Sequence, residues 1–282
     1  IKEKTGFELK TTQKPNNVKL WNPYEGDMEL LKKLQNKNRL LIRLKEQKLI
    51  GYPLKEVKKK SELRESFLYR YHKSFSGQGN FIYPKDERKI CNLLKLNEKL
   101  LEVPLLERVM DFSTLIYGKK ILSIYENDVD KYFQYKGSLI GKHNLVFLQS
   151  HQKKYERSLS FILESYLGNY SNYASIDGFL YKYDDEVHMQ PACEINVRKT
   201  MGHFAFVFKE KFFPDINYLK FKLIKNKCSN KLGDKIFFNL PEDIILLSPL
   251  NNSFLSFIIL GDSKSDILKK EDDLSSRLFK GF

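Results

Sequence analysis

The hydrophobic period changes part-way along residues 151–209, and that change limits what the chain can fold into more than any other feature. Tyr155, Leu159, Ile162, Leu163 and Tyr166 recur at helical spacing. They mark the buried stripe of an amphipathic helix over 151–167, and Gly168 is its natural stop. Three strand-like runs follow directly, at 174–183, 187–198 and 203–209, so helices and strands alternate within one stretch. Upstream, Leu30, Leu31, Leu34, Leu41, Leu44 and Leu49 carry helical spacing until Gly51-Tyr-Pro53 ends it. A strand is predicted at 67–73, a small-residue loop at 74–79 and a second short strand at 81–83. A helix over 85–99 and a strand-rich stretch over 100–117 follow. Downstream, strands are predicted at 218–224 and 253–260, then a charged helix at 264–279. Helices and strands are both present throughout, which excludes an all-α or all-β chain.

Composition matters here for what it excludes. Of 282 residues, 41% are apolar and 30% charged, enough apolar material for a core and too much for a disordered chain. No run approaches the roughly 20 apolar residues that span a bilayer, so no membrane partner is expected. Cys91, Cys193 and Cys228 are widely spaced and include no CxxC pair, which fits a reducing cytoplasm better than a disulfide framework. The net charge of +14 invites a nucleic-acid reading. However, twelve Lys/Arg against three Asp/Glu fall between Lys32 and Arg64, a net of about +9 that also fits a solvated helix face and loop. No nucleic-acid-binding signature accompanies that segment.

Three constellations carry chemistry. In Lys73-Ser-Phe-Ser-Gly77-Gln-Gly79 a strand delivers a lysine into a glycine-bearing loop. Such glycines let backbone N–H groups approach phosphate oxygens, and the lysine supplies charge. An ordinary hairpin turn fits the same residues. In Glu194-Ile-Asn196-Val-Arg198 a period of two puts Glu194, Asn196 and Arg198 on one face, with Ile195 and Val197 on the buried one. A carboxylate and an amide oxygen are hard ligands of the kind Mg2+ accepts beside phosphates, and Arg198 suits an anion. Asp177 on the preceding strand can cross-pair to add a carboxylate. An exposed, salt-bridged strand face is the alternative. In Leu101-Glu-Val-Pro-Leu-Leu-Glu107 an apolar strand ends in acids, suited to an adenine edge and ribose hydroxyls, or equally to a plain strand end.

Gly137-Ser-Leu-Ile-Gly141-Lys142 is one residue short of a Walker loop, with His143 where a hydroxyl should reach magnesium, and is set aside. The five histidines show no ligand spacing.

Taken together, the order of these elements is specific. The segments LLEVPLLERVMDFS, SIDGFLY and PACEINVRKTMG resemble the ATP-grasp superfamily, and its uncharacterised bacterial members more than any one named ligase. The resemblance runs from about Asn36 to Phe208 and leaves the last 70 residues unplaced. It implies an α+β fold, the ATP-grasp fold, of two subdomains with antiparallel sheets that enclose ATP. Residues 36–110 would form the small subdomain with its glycine-rich lid, and 111–282 the large one with a C-terminal extension. Residues 1–35 would be an arm or the remnant of a preceding domain. A partner chain or a missing N-terminal domain could supply the substrate-binding part that many members carry there.

By the same resemblance, Lys73, Ser76, Gly77 and Gly79 hold the phosphates, and Glu102, Val103 and Leu105 form the hinge that meets adenine. Glu107 binds ribose, Arg39 is a further basic contact, and Asp177, Glu194 and Asn196 hold magnesium. Arg198 and Lys73 offset charge in the reaction. The implied activity is an ADP-forming ligase that joins a small-molecule or peptide carboxylate to an amine-type or thiol nucleophile through an acylphosphate. A non-catalytic ATP-grasp scaffold and a basic nucleic-acid-binding module are the rival readings.

Overall fold

The computed structural model describes residues 36–72, 79–131, 133–141, 146–225, 240–249 and 252–279, with the side chains of 146–148 and 279 not described. Lys73, Ser76 and Gly77 lie outside the described residues. The first described element is α1 (Lys37–Glu46), capped by Asn36, whose side chain accepts the Arg39 N–H at 3.0 Å. Strands β1 (Lys55–Val57), β2 (Phe67–Tyr71) and β3 (Asn80–Ile82) follow, then α2 (Glu87–Lys95) and β4 (Leu100–Pro104). These strands form a four-stranded sheet in the order β1-β4-β2-β3. Helix α2 covers one face of it, where Ile90 and Leu94 pack on Val57, Tyr69, Phe81 and Leu100.

Only Leu105 and Leu106 separate β4 from β5 (Glu107–Tyr117), which belongs to a second sheet. That sheet adds β6 (Lys120–Val129), β7 (Tyr135–Gly141), β8 (Tyr173–Tyr183) and β9 (Glu186–Asn196), with α3 (Gln152–Ser165) before β8. After α4 (Met201–Phe212) come β10 (Tyr218–Lys225), β11 (Ile244–Leu246), β12 (Phe254–Gly261) and α5 (Lys264–Phe279). The eight strands run antiparallel in the order β11-β12-β10-β7-β6-β5-β8-β9. Asp184 and Asp185 both have positive φ, which suits the tight turn between β8 and β9. The described strands of the last 70 residues, a stretch the resemblance left unplaced, thus complete this sheet. Among the described residues no helix is long and apolar enough to cross a membrane.

The large sheet has two covered faces, fixed by alternation along each strand. On the back face Phe112, Ile116, Ile176 and Ile195 meet Tyr155, Leu159 and Ile162 of α3, the stripe read from the sequence. Leu40, Leu41 and Leu44 of α1 and Leu68, Leu101 and Val103 of the small sheet join the same core and tie the two sheets together. On the front face Leu115, Tyr125, Ile140, Leu219 and Phe221 pack against Ala205 of α4.

Helix α4 corrects the strand predicted at 203–209. Phe204, Phe206 and Phe208 alternate as in a strand, but Thr200 caps a helix by accepting the His203 N–H at 3.3 Å. Phe204 and Phe208 then stack one turn apart, with ring centroids at 5.6 Å. Local capping and docking on the sheet override β-propensity here. Gly202 makes that docking close: a Cβ there would lie 2.2 Å from the Tyr125 ring.

Candidate active site

The C-terminal half of β9 faces β8 in a register that pairs Asp177 with Glu194 and Ser175 with Asn196. Alternation places all four on the front face. Ile195 and Val197 point to the back and are buried, as expected. Asp177 is held from three sides: Ser113 donates to its Oδ1 at 2.6 Å, Ser175 to the same oxygen at 3.0 Å, and Asn196 Nδ2 to its Oδ2 at 2.7 Å. That last bond fixes the Asn196 amide and turns its Oδ1 outward, where Arg198 Nη2 lies at 3.5 Å. Arg198 itself is exposed. Burial, and next to it the Glu194 carboxylate, push the Asp177 carboxyl up to about 6.

Two cations absent from the sequence reading lie at this end of β9, one on Glu194 itself and one on the backbone beside it. Lys37 Nζ lies 2.8 Å from Glu194 Oε2, with only 10% of its side chain exposed. Arg70, on the β2 face that carries Leu68, is 9% exposed and donates to the Cys193 carbonyl at 3.1 Å. Among the described residues Arg70 has no carboxylate partner. Burial pushes the Cys193 thiol up to about 11, opposed by Arg70 and Arg108 and reinforced by Asp177 and Glu194, so all four charges lie within electrostatic reach of it. Arg108 stacks over Phe179 at 4.1 Å and Phe133 at 4.3 Å, and pairs with Asp111. Burial raises the Asp111 carboxyl despite that partner.

Both cations left a trace in the sequence. Lys37 occupies the same helical stripe as Leu40, Leu41 and Leu44, where a charge is out of place. Arg70 falls in the alternation of Leu68. Arg39 lies elsewhere. It is exposed, and with Asn36, Asn38, His72 and Lys99 it lines a cavity of about 460 Å3. The 102–107 segment crosses from one sheet to the other, and its side chains diverge. Glu102 turns toward the α2 face, fully buried, and takes hydrogen bonds from Tyr69 Oη at 2.8 Å and from Arg64. Val103 is buried in the shared core and Leu105 is exposed. Glu107 is 73% exposed, 3.8 Å from Lys182. Gly79 is buried, and its carbonyl accepts the Tyr71 N–H at 2.8 Å.

Among the described residues no cluster of three His, Cys, Asp or Glu side chains suits a metal. Two carboxylates and an outward amide oxygen nevertheless form a hard oxygen set of the size Mg2+ uses when phosphates and water complete its shell. The Lys37 ammonium at 2.8 Å from Glu194 already takes the place of a cation there. On the chemistry of these donors, the residues fit the ion.

No family model matches the sequence, and no curated protein matches it. Solved structures do. Carboxyaminoimidazole ribonucleotide synthase from Aspergillus clavatus, complexed with ATP, aligns over 91% of this chain and 76% of its own at 12% identity, with a TM-score of 0.62. N5-carboxyaminoimidazole ribonucleotide synthetase from Thermus thermophilus aligns over 91% and 75% at 14% identity, TM-score 0.61. L-amino acid ligase from Bacillus licheniformis aligns over 90% and 73% at 10% identity, TM-score 0.59. These neighbours are ATP-grasp enzymes, and the chain has the ATP-grasp fold.

Proposed function

We propose that this ATP-grasp chain binds Mg·ATP between its two sheets and uses it to join a carboxylate to an amine-type nucleophile. The observation that carries the reading is the Asp177–Glu194 pair with the outward Asn196 oxygen, set beside Lys37 and Arg70 on this fold. Residues 36–110 would act as the small subdomain and 111–282 as the large one. Solved neighbours complexed with ATP and ADP support the nucleotide. Lys73, Ser76, Gly77 and Gly79 would complete the phosphate contacts, with the 102–107 crossover along the base and ribose.

Asp177, Glu194 and Asn196 would hold the ion, which when bound neutralises phosphate charge and draws the β- and γ-phosphates into line. Arg70, Lys37 and Lys73 would bind the phosphates and offset the charge that builds on the leaving ADP. The substrate carboxylate oxygen attacks the γ-phosphorus, the bond to the β-phosphate oxygen breaks, and ADP leaves an acylphosphate. Arg198 would face that anionic intermediate. The nucleophile then attacks the acyl carbon, phosphate departs, and the amine loses its proton. Positioning and electrostatics suffice, and no Ser or His nucleophile is required.

The test is phosphate release with Mg·ATP against amino acids, peptides and small carboxylates. One or more carboxylate classes should stimulate release in the native chain, and Glu194→Ala should lower it at least ~100-fold with the fold retained, the scale of losing a charge-stabilising group. Normal turnover by Glu194→Ala would remove Glu194 from the site.

A further inference from the structure

The polar side chains of the front face form one continuous row across four strands. Tyr135 on β7 meets Ser138 at 2.8 Å, and Ser138 Oγ donates to Asn127 Oδ1 on β6 at 3.1 Å. Asn127 Nδ2 donates to Ser113 Oγ on β5, and Ser113 donates to Asp177 Oδ1 on β8 at 2.6 Å. The direction of each bond follows from proton counting. An ionised Asp177 only accepts, so Ser113 gives it its single proton. Asn127 therefore presents its NH2 group to Ser113 and its carbonyl to Ser138. Because the Ser138 proton is committed to that carbonyl, Tyr135 must be the donor to Ser138. All four donors point the same way, toward one carboxylate oxygen.

Such a row is costly to keep without a use. Ser113 and Ser138 are 2% and 0% exposed, and each buried polar group must find a partner or destabilise the fold. Leu115 and Ile140 on the same face belong to an apolar core that small aliphatic residues could extend. Aligned hydrogen bonds polarise one another, so a directed row strengthens its terminal bond. Asn196 meanwhile holds the other Asp177 oxygen.

We infer that Tyr135, Ser138, Asn127 and Ser113 are positioning residues that fix the Asp177 carboxylate for a divalent cation, so that groups up to three strands away set cation affinity. At a strand spacing near 4.8 Å, β7 lies about 14 Å from β8. The inference rests on the metal reading of Asp177, and the experiment separates the two.

Binding of Mn2+, followed by electron paramagnetic resonance in the presence of ADP, is measured on the whole chain. ADP affinity without metal and the unfolding midpoint are measured alongside. Asp177→Asn should weaken Mn2+ binding about 100-fold, and Ser113→Ala and Asn127→Asp about tenfold each, within the range seen when outer-shell partners of metal ligands are removed. Tyr135→Phe, at the far end, should cost about twofold to threefold on the same scale. ADP affinity without metal should stay within about twofold in the Asn127 and Tyr135 variants. Asn127→Asp keeps the shape but replaces the donor to Ser113 by an acceptor, and it carries the test if Ser113→Ala does not fold. Native Mn2+ affinity in Ser113→Ala and Asn127→Asp, beside its loss in Asp177→Asn, overturns the inference and makes the row purely structural. Native Mn2+ affinity in Asp177→Asn would instead overturn the metal reading itself.

Discussion

The two faces of the large sheet both carry polar networks, and they are built on opposite plans. On the back, Lys220 and Lys222 of β10 each pair with both Asp128 of β6 and Glu271 of α5. Two positive and two negative groups close on one another, and the Lys220 side chain is only 8% exposed. Burial pushes the Asp128 carboxyl up, but the Lys222 hydrogen bond and the nearness of Lys220 outweigh it, and the net shift is downward. On the front, Glu194 pairs with Lys37, Arg198 lies beside the Asn196 amide oxygen, and Arg70 reaches only a backbone carbonyl among the described residues. A network that satisfies its own charges holds α5 on the sheet. The front network ends instead in an outward oxygen and, among the described residues, in a guanidinium without a carboxylate partner, as the proposed nucleotide site requires.

The largest effect should come from opening the closed network. Glu271→Ala leaves two partly buried ammonium groups short of a partner and should lower unfolding free energy by about 3 kcal/mol, measured in urea. ADP affinity should not change, and a parallel loss would break the division between the faces. Arg70→Met should do the reverse. It should weaken ADP binding by about 1.5–3 kcal/mol, the worth of a hydrogen bond to a charged group, with a smaller change in the unfolding midpoint. An unchanged ADP affinity would take Arg70 out of the site.

The smallest effect is a pH dependence of the back face. The Asp128 carboxyl sits below its ordinary value of 3.8 in the folded chain. Its contribution to stability is therefore full above that ordinary value and is lost as pH falls through the folded value. The urea midpoint should drop over that acidic window, and Asp128→Asn should flatten the drop. The same drop in Asp128→Asn would assign it to other carboxylates.

Reading the sequence worked best where one local pattern fixed one element. The stripe of Tyr155, Leu159 and Ile162 is helix α3, and the alternation around Ile195 puts Glu194 and Asn196 on the face away from that helix. It failed where two patterns competed, as at Phe204–Phe208, where aromatic alternation concealed a helix set by the Thr200 cap. It also passed over β6 and β7, whose residues carry Asn127 and Ser138 and whose meaning depends on strands elsewhere.

By itself, the sequence determined which side chains share a strand face, because alternation is a property of the backbone and needs no partner. It therefore contained the Glu194-x-Asn196 pair and the acid at Asp177. Only the tertiary structure decided which cation meets them. Lys37 and Arg39 lie two residues apart on one helix, about 200° around its axis. Packing of Leu40, Leu41 and Leu44 into the shared core turns Lys37 to Glu194 and leaves Arg39 exposed beside another cavity. The row from Tyr135 to Asp177 was likewise set by strand register, since its four donors are contributed by three strands and meet only when these pair in the order β7-β6-β5-β8.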